Sequence, residues 1–270
     1  MLRVTHNSGF YSCCTVRLNS IIGYYNTHKK FPDKVDSSIQ FAQYKTNINE
    51  DISHLFFIED LNITEKDVRS IEDKKICDWV EQFCSYKNQS RLDELKPFIQ
   101  KYFTVTECIK TFVHYFENKY SIDYNNICAV FYRGNDKIIE TNQPSYEEMF
   151  NKATEIYNNN KNIQFLVQTD VTEFANEFKN KFNNVIHFNE IPTISNNNLS
   201  AVQYCVLPEY RLQSILLYNA AIQIISKCKY VICTSGNGEL WIMLYRGHTE
   251  GVHQYLKTKE YDVTQTNFWI

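Results

Sequence analysis

No stretch of the sequence approaches the ~20 apolar residues of a membrane-spanning helix. Its first residues, MLRVTHNSGF, hold no apolar core of a secretory leader. Both absences lead us to expect a soluble, cytoplasmic protein. Charge of one sign is also scarce: 28 Lys and Arg against 31 Asp and Glu leave −3 at pH 7. That is too little to expect attraction to nucleic acid or to an anionic membrane. Nine cysteines are present without a CxxC pair, so a zinc site lacks its spacing and the thiols read as buried and reduced. GxxxxGK(S/T), HExxH and GxSxG are missing, and no two aspartates are separated by a single residue, which removes a D-x-D metal clamp. The GNG at 236–238 lacks the fuller GxGxxG spacing, which argues against a dinucleotide dehydrogenase. Neither a metal nor a cofactor is expected.

What is present suits a globular protein of one large or two small domains: 270 residues, 43% of them hydrophobic. The chain opens as strand (2–6), small-residue loop (NSGFYSCC) and helix (15–26). HLFFIED reads as a strand. Residues 65–118 read as mostly helical, with Val68, Ile71, Ile76, Trp79, Val80 and Phe83 on one face and Pro97 opening or kinking a further helix. After Ser121 the character changes. NICAVFYR, IQFLVQ, NVIHF and KYVIC are continuous apolar strands separated by helical stretches, and PTISNNNLSAVQ reads as a polar loop. That alternation predicts an α/β fold, with a parallel sheet covered by helices on both faces. We place a boundary near residue 121: a helix-rich α/β domain over 1–121 and a Rossmann-like domain over 122–270. His114 and His187, in apolar surroundings, read as core histidines.

Ligands of open parallel sheets bind beyond the carboxyl ends of the strands. Arg133, Asp136 and Lys137 follow such an end. Arg there offers a planar fork of donors to a diphosphate, Lys offers a point charge, and Asp136 can orient either; the same residues also fit a solvated surface ion pair. Glu140 lies within reach of the same mouth. A second strand–turn–helix, KYVICTSGNGELWIML, brings Thr234, Ser235, Gly236 and Asn237 to a helix start, where amides favour an anion; an ordinary capped turn has the same pattern. Because both segments fall on one predicted edge, a phosphate-bearing ligand is the reading that unites them.

These segments resemble the fucosyltransferase superfamily, in particular its α1,6-fucosyltransferase and protein O-fucosyltransferase type. AVFYRGNDKIIETNQPSYEEMF is similar to the family's strand, Arg-x-x-Asp-Lys, acidic residue and helix. IQFLVQTDVTEFANEF resembles its strand–Thr-Asp–helix segment, LQSILLYNAAIQIISKCKYVICTSGNGELWIMLY its long helix, strand and nucleotide loop, and NSGFYSCCTVRLNSIIGYYN its N-terminal loop and helix. The form of the chain also looks like glycosyltransferases of large DNA viruses. The resemblance implies a GT-B-like fold, two Rossmann-like domains facing across a cleft, and inverting, metal-independent transfer of a sugar to a glycan or polysaccharide hydroxyl. In that scheme Arg133 neutralises the diphosphate, Lys137 supports it and Asp136 organises both. Glu140 is the candidate base, one residue nearer than the family's acid. Asp170, Thr234, Ser235, Gly236 and Asn237 contact the nucleotide, with Gly9 and Tyr11 closing from the other side. Where the family reads guanine with a His and an Asp, this chain has Phe131 and Ala221. The donor expectation is therefore GDP-fucose or, with the guanine readers gone, UDP-xylose. A non-catalytic nucleotide- or sugar-binding module is the alternative.

Overall fold

The apolar run of residues 127–132 lies at the centre of the principal sheet. In the computed structural model the described residues are 1–68, 82–195, 205–256 and 268–270. β1 (Leu2–Arg3) pairs in parallel with β2 (Val35–Asp36), so the strand expected over 2–6 is confined to two residues. Between them α1 runs over Phe10–His28, starting at Phe10 rather than Thr15. Its first turns become helical because Phe10, Tyr11, Cys13 and Cys14 are all buried against the rest of the molecule. β3 (Phe57–Ile58) pairs antiparallel with β4 (Thr104–Val105).

Ahead of β4, α2 spans Gln89–Tyr102 and is capped by the Asn88 side chain, which accepts from the Arg91 amide. Pro97 sits inside α2 without ending it. Burial of Leu92, Leu95, Phe98 and Ile99 on one face offsets the lost amide, a penalty of ~3 kcal/mol. α3 (Glu107–Tyr120) ends at Ser121, which takes a left-handed conformation (φ 51). The helical face expected through Ile71, Ile76, Trp79 and Val80 lies outside the described residues, as does the polar loop beyond Ser195.

From residue 127 the chain alternates: β5 (Ile127–Tyr132), α4 (Lys137–Glu140), α5 (Tyr146–Asn159), β6 (Gln164–Thr169), α6 (Thr172–Lys181) and β7 (Val185–His187). Then follow α7 (Pro208–Lys227), β8 (Tyr230–Cys233), α8 (Asn237–Arg246) and β9 (Val252–Gln254). The five strands pair in parallel throughout, in the spatial order β7-β6-β5-β8-β9. The helix boundaries follow local chemistry. Ser145 and Glu148 form a reciprocal capping box at α5, Pro208 opens α7, and Gly247 closes α8 with φ 69. β9, whose sequence VHQ is short and half polar, was not expected as a strand.

Strand alternation divides the core. Ile127, Ala129 and Phe131 face one apolar cluster, and Cys128, Val130 and Tyr132 face another. The second cluster is closed by α5 and α6. The first runs without a break from the sheet through α7 and α8 into Phe10, Phe56, Phe98 and Phe103. The core thus continues across the boundary placed at residue 121. Among described residues, the first 121 carry two two-stranded sheets and not a Rossmann-like sheet of their own. Cys13, Cys14, Cys128, Cys228 and Cys233 are buried thiols as read, whereas Cys84, Cys108 and Cys205 are exposed. His114 is no core histidine: it lies on the exposed side of α3, 2.9 Å from Glu117. Among the described residues no helix is long and apolar enough to cross a membrane.

Candidate functional site

The strand order reverses between β5 and β8. Sequential strands step one way from β5 to β7, then return to β5's other side with β8 and β9. A crevice opens beyond the carboxyl ends at such a point. A cavity of about 400 Å³ occupies it. The loop after β5, the ends of β6 and α8, one face of α7, and residues 6–12 of the N-terminal segment all line it. Gly9, Tyr11, Arg133, Asp136, Lys137, Glu140, Asp170 and Asn237, widely spaced in sequence, meet there.

Asp170 is the pin of this arrangement. Its carboxylate accepts from Arg133 Nε and from the Gly134 amide, each at 2.9 Å, and its carbonyl accepts from Asn135 Nδ2 at 2.8 Å. The loop after β5 is thereby tied to the end of β6. The Arg133 Nη2 donates to Asp136 at 2.8 Å. Burial works against the Arg133 charge, but Asp170 and Asp136 outweigh it and hold its pKa above the ordinary arginine value. The guanidinium is therefore a fixed cation, and its five N–H donors exceed the two that Asp170 and Asp136 take up. Lys137 is buried; its Nζ pairs with Glu140 and donates to Gln82 at 3.2 Å.

The βα turn is used differently from expectation. The Thr234 hydroxyl donates to Glu239 (2.6 Å), the Ser235 hydroxyl to the Tyr255 carbonyl (3.0 Å), and the Gly236 amide to the Tyr86 hydroxyl (3.0 Å). Thr234 and Ser235 are buried, and none of the three lines the cavity. Their polar groups satisfy the core instead of awaiting a ligand. Asn237 and Gly238 remain at the cavity, at the amide end of α8. Asn237 accepts from the Thr15 hydroxyl at 2.8 Å, which fixes α8 against α1. The Tyr11 hydroxyl donates to Asn219 at 2.7 Å, which ties this cavity-lining residue to α7. Phe131 lines the cavity. Ala221 does not: it is fully buried in α7, whose cavity face is Arg211, Ser214, Ile215 and Tyr218.

Several residues at the site had not been singled out. Gln82, Gln168 and Tyr218 line the cavity, and Glu239 lies fully buried beneath it. Glu239 Oε2 has no hydrogen-bond partner among the described residues, and burial raises its pKa above 4.5 against the pull of Arg133. The readable signals were a polar residue closing an apolar strand (Gln168) and a spacing of three, one and three along α7 (211, 214, 215, 218).

The same overall arrangement occurs in solved structures. NodZ alpha-1,6-fucosyltransferase co-crystallised with GDP aligns with a TM-score of 0.51 at 9% identity, and 94% of each chain is covered. The same enzyme soaked with GDP-fucose gives 0.50 at 10% identity, again with 94% of each chain covered. The chain has a fucosyltransferase-like fold. No protein-family model matches the sequence, and neither does any curated protein. The likeness is one of fold, carried by the α/β architecture with its parallel sheet; the chemistry must be argued from the side chains.

Proposed function

We propose that the chain is a glycosyltransferase that moves a sugar from a nucleotide sugar to a hydroxyl of a glycan or polysaccharide acceptor. One observation carries this reading: Arg133, held charged by two carboxylates, stands with Lys137 at the mouth of the sheet's switch point beside the start of α8. The fold is that of an enzyme crystallised with GDP and soaked with GDP-fucose. On this reading the acceptor oxygen attacks the anomeric carbon from the face opposite the diphosphate, the bond to the diphosphate breaks, and configuration inverts. The sugar gains positive charge while the diphosphate gains negative charge. Fixed cations aimed at the departing oxygens favour that state over the ground state, which is the basis for transfer without a divalent metal. Glu140 receives the acceptor's proton. Its pairing with Lys137 links the two events: once Glu140 is protonated, Lys137 is released toward the leaving diphosphate. Residues 6–12 close the crevice from the acceptor side, in a GT-B-like manner. GDP-fucose and UDP-xylose are the donors to test first.

The test is a thermal-shift and calorimetric panel of GDP, UDP and their sugar conjugates, followed by transfer assays. The cognate nucleotide stabilises with the logarithm of its concentration over Kd. Arg133→Ala should lower turnover by about 10²–10³, comparable to losing one oxyanion donor. Glu140→Gln should abolish transfer while nucleotide binding survives. Silence from every nucleotide refutes the reading. Binding with no turnover in the wild-type chain would instead indicate a nucleotide- or sugar-binding module.

A further inference from the structure

The cavity has two walls. Residues 6–12 bring His6, Ser8 and Ser12 to it along with Phe10 and Tyr11. The other side carries Phe131, Ile191, Pro192, Ile215 and Tyr218 along with Arg211 and Ser214. Gln168 is the polar group that sits directly beside Phe131. It is the penultimate residue of β6, and Phe131 is its register partner on β5. Leu166, two residues earlier, faces the same apolar cluster as Phe131, so Gln168 and Phe131 share a face of the sheet. Gln168 is 2% exposed and lines the cavity. Its Nε2 makes a long contact, 3.4 Å, to the Thr169 carbonyl. Its Oε1 is buried and has no partner among the described residues. A buried carbonyl left unpaired is costly, which makes it a place where a ligand donor is strongly favoured.

Resting on the nucleotide-sugar reading, we infer that Gln168 is the residue that reads the nucleobase. The diphosphate end of the ligand is set by Arg133 and Lys137. A flat heterocycle fits against Phe131 and Tyr218, while a sugar, with hydroxyls on every side, fits toward His6, Ser8 and Ser12. The base then presents an N–H of its polar edge to Gln168 Oε1. The sequence positions first associated with base reading, Phe131 and Ala221, supply at most a packing surface. The polar contact comes from the neighbouring strand.

The experiment measures Kd by calorimetry for GDP, UDP, ADP, CDP and inorganic pyrophosphate, on the wild-type chain and on Gln168→Leu and Gln168→Glu. Gln168→Leu, close in volume, should weaken the best-binding nucleotide by about 10- to 100-fold, the loss of one buried hydrogen bond. It should leave pyrophosphate unchanged and flatten the ranking of the four bases. Gln168→Glu, which keeps an acceptor oxygen, should retain most of the affinity for the preferred base. Three results overturn the inference while leaving the glycosyltransferase reading intact: an equal loss for nucleotides and pyrophosphate, an equal loss for all four bases, or no loss. A wild-type chain that binds none of the five probes overturns both, and is distinguishable because no variant is needed to see it.

Discussion

Asp170 gives the sharpest test of the site's construction. Its two carboxylate oxygens each accept one hydrogen bond, from Arg133 Nε and from the Gly134 amide, both at 2.9 Å. Asp170→Asn preserves shape but leaves a single acceptor oxygen. Whichever way the amide turns, an N–H meets one of the two donors head-on. A hydrogen bond to a charged partner contributes ~1.5–3 kcal/mol, and breaking a fully buried ion pair costs ~3–5 kcal/mol. Asp170 is buried, but the Arg133 side chain keeps 19% of its exposure, so water partly compensates and the lower end applies. The expected loss is about 2–3 kcal/mol, a large fraction of the ~5–15 kcal/mol that holds a domain folded. Urea denaturation should show a lower midpoint with an unchanged slope. A cycle with Arg133→Met should give a coupling above ~1 kcal/mol. With its guanidinium steadied by Asp136 alone, the variant should also lose transfer by about 10²-fold, the usual consequence of a misplaced group. A variant within ~0.5 kcal/mol of wild type, or additive with Arg133→Met, would refute the view that Asp170 holds the cation in place.

Two further tests probe buried polar groups. Glu239 has its carboxyl pKa raised above 4.5, burial being the main cause. A raised folded value favours the protonated fold, so this contribution is complete below the ordinary carboxylate range and fades as pH climbs through the raised value. Glu239→Gln should thus gain stability relative to wild type at pH 7 and match it near pH 4; thermal denaturation across that range checks the slope, and a parallel pair of curves would contradict it. Tyr11 and Asn219 join the N-terminal helix to α7 through a buried 2.7 Å hydrogen bond. Tyr11→Phe, which strands the Asn219 carbonyl, should cost ~1–3 kcal/mol, and adding Asn219→Leu should recover part of it; no recovery would mean that the bond is not what Tyr11 contributes.

Much of the sheet half was legible along the chain. Residues 127–132 are apolar at every position because both faces of β5 are covered, and such a run needs no distant information to be recognised. Ser145 with Glu148, and Gly247, mark helix ends by contacts within three or four residues. Arg133, Asp136, Lys137 and Glu140 reached the cavity because a charge cluster following a buried strand has only the sheet's mouth to occupy. The first 121 residues were less legible. β1 to β4 are two residues each, too short for alternation to register. Helix α1 owes its first turns to partners such as Asn219 and Trp241, more than two hundred residues away.

The sequence alone therefore determined the alternating α/β order, the parallel sheet and the cationic cluster at its edge, because each depends on side-chain patterns repeated over a few residues. The tertiary structure alone decided which polar groups face the cavity. Thr234 and Ser235 turn inward because Glu239 and the Tyr255 carbonyl are there to receive their hydroxyls, while the Gln168 oxygen finds no partner among the described residues, its neighbour across the sheet being Phe131. Whether a hydroxyl or an amide is satisfied depends on partners brought close by folding, and nothing in its own stretch of chain specifies them.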